Sequence, residues 1–425
     1  MSDFKGSISI PKDGTPWAKF FRFLGPGLLV SVGYMDPGNW ATDIEAGSRF
    51  GYLLLSIVLF SSLGAIALQY LSLKLGIASG MDLALASRMQ FGKKTNLFQW
   101  FLAEIAIIAT DIAEVLGSAL AFKLLFGCSL LTGVAITCLD TFIVLAFAGK
   151  GFRKIEAIIL GLVATIGICY LVELLLLDLH MPSVLAGYIP SLSLAHDPHS
   201  WYLAIGIVGA TIMPHNLYLH SAIVQTRKIG VSEVEKRQAI RFSTIDTVVS
   251  LSLAFLVNSA ILILAASAFH GTGRNEVADI QDAHRLLEPI MGSWLAPLLF
   301  AIALLASGQS STFTGTIAGQ VILEGYLNLQ LPSWKIRLIT RSLALIPAFI
   351  GVAWLGDDST GKLLVITQVI LGLQLPFAVY PLVKFTSDKK LMGSFANRRP
   401  LKLLTWGLFA VISTANIWLI VQIFN

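Results

Sequence analysis

Residues 28–40 read LLVSVGYMDPGNW, and residues 205–219 read IGIVGATIMPHNLYL. Each is an apolar run interrupted near its middle by a proline flanked by residues that can ligate metals. Asp36, Pro37, Gly38 and Asn39 interrupt the first; Met213, Pro214, His215 and Asn216 interrupt the second. A helix broken inside a bilayer leaves backbone amides and carbonyls without partners. That is tolerated only where they are buried in protein or line a polar cavity. Two such breaks at corresponding places point to the binding site of a secondary transporter. The side chains at the breaks offer a carboxylate, an amide oxygen, a thioether and an imidazole. Such a set suits a transition-metal cation better than a sugar or an amino acid.

The rest of the chain fits that setting. It has 425 residues, 55% hydrophobic and 13% charged, with a mean hydropathy of +0.76. Soluble domains carry about 25% charged residues, so most of this chain is expected in lipid. Cys128, Cys138 and Cys169 fall within or at the ends of apolar runs, without metal-finger spacing, and read as small buried hydrophobes. A polar stretch, residues 1–16, leads into the first span with no cleavable-type signal peptide.

Eleven spans are expected, each of about 20 residues or more, as a hydrocarbon core about 30 Å thick requires. Their limits are 24–48, 53–77, 97–125, 128–148, 155–178, 201–225, 242–268, 294–323, 335–355, 361–384 and 402–423. With the N-terminus placed in the cytoplasm, 25 of the 30 basic residues fall on the cytoplasmic side. Only Arg49, Lys123, Arg274, Arg285 and Lys362 fall opposite. This asymmetry is the positive-inside signal, and it puts the C-terminus outside. The formal charge of +5 is therefore an orientation signal. A nucleic-acid partner is not expected, since no loop is long enough to fold into a basic face.

Pro37 and Pro214 lie 177 residues apart, in spans 1 and 6. The second broken span comes five spans after the first, an odd number, so the second unit starts on the opposite side of the membrane. The expected fold is an all-α integral membrane protein, one domain over residues 1–425. It comprises a first five-helix repeat (1–178), an inverted second repeat (201–384) and an added helix (402–423).

A carboxylate at the centre of a span costs about 2.5–3.5 kcal/mol on insertion scales, and such residues usually mark ion paths. Asp36 reads that way; the competing reading is a structural Asp that caps the half-helix beginning at Trp40, a role weighed for Asn39 as well. Met213, next to Pro214, reads as a soft ligand rather than core filler. A thioether favours Mn2+, Fe2+, Co2+ or Cd2+ over Mg2+ and Ca2+. The carbonyl of Ala210 is freed by the second break. His215 is equally a proton relay or a structural cap, with ligation a third reading. His215 and His220 are five apart, which is not the spacing of a zinc-protease pair.

In span 3, Glu104, Asp111 and Glu114 share one helical stripe. A line of acids in a bundle reads as a proton path, with Arg341 in span 9 placed to balance it. Asn258, Gln368 and the cluster from Gly308 to Thr312 are quieter. Helix–helix glue is preferred for the cluster, and Gln368 stays undecided.

Asp36-Pro37-Gly38-Asn39 and Ala210-Thr211-Ile212-Met213-Pro214-His215 resemble the two signature motifs of the Nramp family of divalent metal transporters. Residues 109–114 (ATDIAE) and 308–325 (GQSSTFTGTIAGQVILEG) resemble two further family signatures, and the match runs in order over nearly the whole chain. The resemblance implies a LeuT-like inverted repeat and proton-coupled uptake of Mn2+ or Fe2+. It implies Asp36, Asn39, Met213 and the Ala210 carbonyl as metal ligands, with Gln368 at a position that approaches the metal in some states. Proton-path roles follow for Asp36, Asp111, Glu114 and His215. The short termini resemble bacterial members, hence a bacterial inner membrane. No cofactor is expected beyond the transported metal and protons.

A sodium-coupled amino-acid symporter of the same architecture is the competing reading. It would use helix ends to hold a carboxylate and would want small, Gly-rich breaks instead of Asp and Met. A metal channel would not need a buried proton line. No nucleophile–base set or His-rich cluster suggests an enzyme.

Overall fold

The apolar runs fold as helices because only a helix satisfies every backbone N–H and C=O within one segment in lipid. The computed structural model describes residues 5–10, 15–137, 152–191, 197–270, 277, 279–329, 333–355 and 360–424. A short helix, α1 (Pro16–Phe23), precedes the first broken span. That span consists of α2 (Pro26–Val32), a 3₁₀ turn (Gly33–Met35) and α3 (Pro37–Phe50). Next come α4 (Leu55–Ser79), α5 (Leu83–Gln90) and α6 (Lys93–Phe126). The helix α7 is described over 130–137; the rest of the span expected at 128–148, with Cys138, lies outside the described residues.

After α8 (Phe152–Leu175) and the short α9 (Met181–Gly187), α10 (Pro198–Thr211) and α11 (Pro214–Ile223) form the second broken span. The chain continues through α12 (Glu233–Ala268), α13 (Ile280–Met291), α14 (Leu295–Leu327), α15 (Ser333–Leu355), α16 (Thr360–Ser387), α17 (Lys389–Met392) and α18 (Arg399–Phe424). Among the described residues, eight helical segments are long and apolar enough to cross a bilayer. The fold is nearly all helical. One small addition is a two-residue parallel pairing, β1 (Ile8–Ser9) with β2 (Arg227–Lys228), which ties the N-terminal segment to the chain just after α11.

The bundle is apolar outside and mixed inside. Leu160, Ile168, Leu171 and Leu175 on α8, and Leu403, Val411 and Ile417 on α18, are exposed on the perimeter. A large apolar core fills the interior, and carboxylates, imidazoles and amides are buried within it. The core pairs α6 with α14 and packs α12 against α2, α3 and α4. Burying polar groups while exposing leucine is stable only in lipid.

Several helices outrun their expected spans. α12 starts at Glu233 instead of 242, because Ser232 and Glu235 form a capping box that extends the helix into polar solvent. Its 36 residues make it about 54 Å long, well beyond the hydrocarbon core. Lys74, expected in a cytoplasmic segment, lies inside α4 and is only 4% exposed. Of the cysteines, Cys169 is buried as expected and Cys128 is half-buried.

Candidate metal centre

Proline has no N–H, so the carbonyl four residues before it loses its helical donor. Pro37 does this to Gly33, and Pro214 does it to Ala210. At the first break the freed carbonyls are caught by side chains. Asn39 Nδ2 donates to the Gly33 carbonyl (3.3 Å) and Asn258 Nδ2 to that of Tyr34 (2.8 Å). Ser307 Oγ (2.5 Å) and Trp40 Nε1 (3.2 Å) both donate to the Met35 carbonyl. Asn258 thus makes the interhelical bond expected of glue, but its acceptor belongs to the break.

Asp36 sits between the half-helices in extended conformation (φ −69°, ψ 165°) and is the N-cap of α3. Its Oδ1 accepts from the Asn39 backbone N–H (2.9 Å) and from Asn39 Nδ2 (2.6 Å). The capping role weighed for both residues therefore falls to Asp36, on a half-helix that begins at Pro37 and not at Trp40. One residue serves two ends: Oδ1 caps, while Oδ2 is buried with no hydrogen-bond partner among the described residues. A buried carboxylate oxygen without a donor is costly, and a cation would satisfy it. With Asn39 Nδ2 committed to Gly33 and Asp36, the amide oxygen is the group left to ligate.

The second break is looser. Ile212 (φ −100°, ψ 67°) and Met213 (φ −64°, ψ 121°) leave the helical region before α11 begins at Pro214. Ala210 and Met213 are fully buried. Met213 packs in a small cluster with Ala106 and Ala109 of α6 and Leu371 of α16.

Gln368 of α16 joins the two breaks. Its side chain lies against Gly38, where any Cβ would collide with the amide. Its backbone carbonyl lies against Gly209, next to Ala210, where a Cβ would meet main-chain atoms, so Gly209 is required by contact, while a Cβ at Gly38 would push the Gln368 amide aside. Gln368 is fully buried, and its Oε1 has no partner among the described residues. The five expected ligands thus fall on α3, its preceding turn, the α10–α11 break and the helix that touches both. No group of three or more His, Cys, Asp or Glu could hold a metal among the described residues. The donor set here is mixed instead: one carboxylate, two amide oxygens, a carbonyl and a thioether.

Glu104, Asp111 and Glu114 are all buried on α6. Glu104 lies eleven residues inside that helix, and neither of its oxygens has a hydrogen-bond partner among the described residues. Glu114 faces Gly315 of α14. His215 Nδ1 bonds Thr110 Oγ1 (3.1 Å), one turn before Glu114 on the same face of α6. His215 is not a cap; the N-cap of α11 is Met213, without a side-chain bond. Arg341 falls on α15, which packs on α6; its side chain lies outside the described residues.

The span 8 cluster packs as small residues do between helices: Gly308 lies against Ser118 of α6, where a Cβ would collide. Ser310, Ser311 and Thr312 donate to carbonyls of their own helix at Ser307 and Gly308. Sequence reasoning overlooked Ser307, and a second polar chain. His220 Nδ1 bonds Gln69 Oε1 (2.9 Å), whose Nε2 donates to Tyr34 OH (2.8 Å). It also overlooked the clasp on the start of α2. Asp246 accepts from the N–H groups of Gly25 (3.2 Å) and Gly27 (2.7 Å). Arg227, paired with Glu156 (2.8 Å), donates to the carbonyls of Leu24 and Arg22. No local motif announces these contacts; each joins residues more than 30 positions apart.

This bundle, with two broken spans meeting at a buried carboxylate, defines a polytopic membrane protein of the secondary-transporter type. The fold of a nucleobase-cation-symport-1 family transporter, Mhp1, matches it with a TM-score of 0.61 at 16% identity, over 85% of this chain and 78% of that one. Residues 27–422 match the family described as natural resistance-associated macrophage protein-like, and the chain belongs to that family, Nramp. It is 61% identical over 422 residues to the divalent metal cation transporter MntH of Ralstonia nicotianae, covering 99% of this chain and 96% of that one. A crystal structure of a mutant manganese transporter of Eremococcus coleocola superposes with a TM-score of 0.90 at 39% identity, over 98% of this chain and 89% of the other.

Proposed function

We propose that this protein imports divalent transition-metal cations, Mn2+ and Fe2+ foremost, coupled to inward proton movement. The observation that carries the reading is Asp36: a buried carboxylate between two half-helices, one oxygen committed to the cap and the other without a donor among the described residues. The relatives named as divalent metal cation and manganese transporters support the same substrate class. Asp36, Asn39, Met213, the Ala210 carbonyl and Gln368 would hold the ion. Glu104, Asp111, Glu114, His215 and Arg341 would serve the protons. The basic-residue asymmetry supports a cytoplasmic N-terminus and an external C-terminus, and the bacterial source of the relative from Ralstonia nicotianae supports a bacterial inner membrane. Two inverted repeats, 1–178 and 201–384, would rock about the two breaks.

The competing symporter reading is disfavoured by chemistry. An amino-acid carboxylate would meet the Asp36 carboxylate at the break, a like charge in low dielectric. Reconstitution into proteoliposomes decides between them. Mn2+ uptake that grows with an inward proton gradient is expected. Sodium-driven amino-acid uptake with no Mn2+ entry would overturn the proposal.

A further inference from the structure

Away from both breaks, a cavity of about 710 Å3 opens at the end of the bundle where the basic residues concentrate. It lies between α4, the first turns of α12 and the α17–α18 junction, and it carries four cations: Lys74, Arg237, Arg241 and Arg398. Arg237 is partly neutralised at the rim, since it pairs with Glu233 (3.3 Å) and sits over the Phe395 ring (5.0 Å). The other three have no carboxylate partner among the described residues. Lys74 is the unusual one. It is a lysine only 4% exposed, bonded to the amide oxygen of Asn397 and held over the Tyr70 ring (5.1 Å). Three positive charges converging on one concavity, one of them buried, leave an unbalanced site that an anion would complete.

Part of the lining beside the charges is apolar. Ile245 of α12 and Pro400 and Leu401 at the start of α18 line the cavity. The next turns continue outward with exposed Val248 and Val249 on α12 and Leu404 on α18. A charged bowl that opens onto an apolar, lipid-facing track has the shape of a phospholipid, with its headgroup inside and its acyl chains outside. Basic pockets between helices at a membrane surface take anionic headgroups on the same physics.

We propose that this cavity is a phosphate site, filled by the headgroup phosphate of an anionic phospholipid or by the free anion. Arg241 and Arg398 grip the phosphate from the rim, Arg-to-phosphate pairing being strong and bidentate. Lys74 supplies a point charge from below. The ligand would bridge α4, α12 and α18, elements that no metal ligand occupies, so its occupancy is separable from metal binding.

The test is native mass spectrometry of the full chain in detergent with added dioleoylphosphatidylglycerol, dioleoylphosphatidylcholine or inorganic phosphate. One phosphatidylglycerol should be retained in preference to phosphatidylcholine, and Arg241→Gln/Arg398→Gln should weaken that retention by about ten-fold or more. Arg241→Lys/Arg398→Lys should keep most of it, which separates charge from packing. If the glutamine pair fails to fold, each single glutamine variant is read against its lysine counterpart. An inorganic phosphate adduct lost in the glutamine variants, without preference for phosphatidylglycerol, assigns the same site to the free anion. Equal retention of both lipids with no phosphate adduct overturns the proposal, as does a glutamine variant that binds like the wild type.

Discussion

Asn258 Nδ2 of α12 donates to the carbonyl of Tyr34, 2.8 Å away and 224 residues earlier. That carbonyl is free only because the first span breaks at Asp36, so α12 acts as a splint for the break. Asn258→Ala should leave the buried carbonyl unpaired, at a cost of about 1–3 kcal/mol. The thermal midpoint should fall, and Mn2+ affinity should fall with it as the half-helices lose register. An unchanged midpoint would mean water or another donor fills the place.

Asp36→Asn should abolish Mn2+ binding while preserving the fold. Asn caps a helix about as well as Asp, so the bond to the Asn39 N–H survives. What disappears is the negative charge, which a divalent ion in low dielectric needs. Calorimetry with Mn2+ and a melting curve report the two halves separately. A folded variant that still binds Mn2+ would remove Asp36 from the ligand set.

Met213 poses a sharper question, because it also packs against Ala106, Ala109 and Leu371. Met213→Ala would mix ligand loss with a cavity worth about 2–5 kcal/mol. Met213→Leu conserves volume at a cost below about 1.5 kcal/mol and removes only the sulfur. With the soft donor gone, hard oxygens remain, and Ca2+ and Mg2+ should compete better against Mn2+ uptake in both variants. An unaltered competition profile in Met213→Leu would assign the residue to packing alone.

These predictions start from features visible in the sequence, and the structure shows why others were hidden. Hydropathy and two mid-span prolines give the spans and the breaks, because lipid forces helices and proline forces a gap. Asp36, Asn39 and Met213 are visible because they stand inside those gaps. Gln368 is a plain polar residue in an apolar helix, and only its contacts with Gly38 and Gly209 tie it to both breaks. Ser307, Gln69 and Asp246 carry no signal at all, since their acceptors or donors exist only once distant segments meet. The starts of the long helices escape hydropathy for another reason: the capping box at Ser232 extends α12 into solvent, where apolar periodicity stops.

Glu156 and Arg227 form a buried pair, 5% and 1% exposed, beside the start of α2. Glu156→Gln should cost about 3 kcal/mol, because it removes the carboxylate paired with a buried guanidinium and leaves Asp246 as its nearby counter-charge. Arg227→Met also forfeits the bonds to Leu24 and Arg22, so its melting temperature should fall further. If Glu156→Gln melts like the wild type, the main-chain carbonyls and Asp246 suffice to hold Arg227.

Protons should travel by the α6 acids, apart from the metal. Asp111 and Glu114 are buried on an unbroken helix that frees no carbonyls for a cation. His215 reaches that helix through Thr110 at 3.1 Å, one turn from Glu114, and so links the second break to the acid line. Buried carboxylates are expensive in a bundle and persist where they carry ions or pair. Asp111→Asn and Glu114→Gln are each nearly isosteric, so packing against Gly315 and its neighbours should survive. Both should impair metal-stimulated acidification of vesicles more than they impair metal binding. An interior pH dye reads the first quantity and calorimetry with Mn2+ or Cd2+ the second. His215→Gln should follow the same pattern, since it breaks the link without removing a ligand named above. If all three variants acidify normally, the proton route lies elsewhere. If all three lose metal binding outright, metal and proton share one site, and the separation argued from α6 fails.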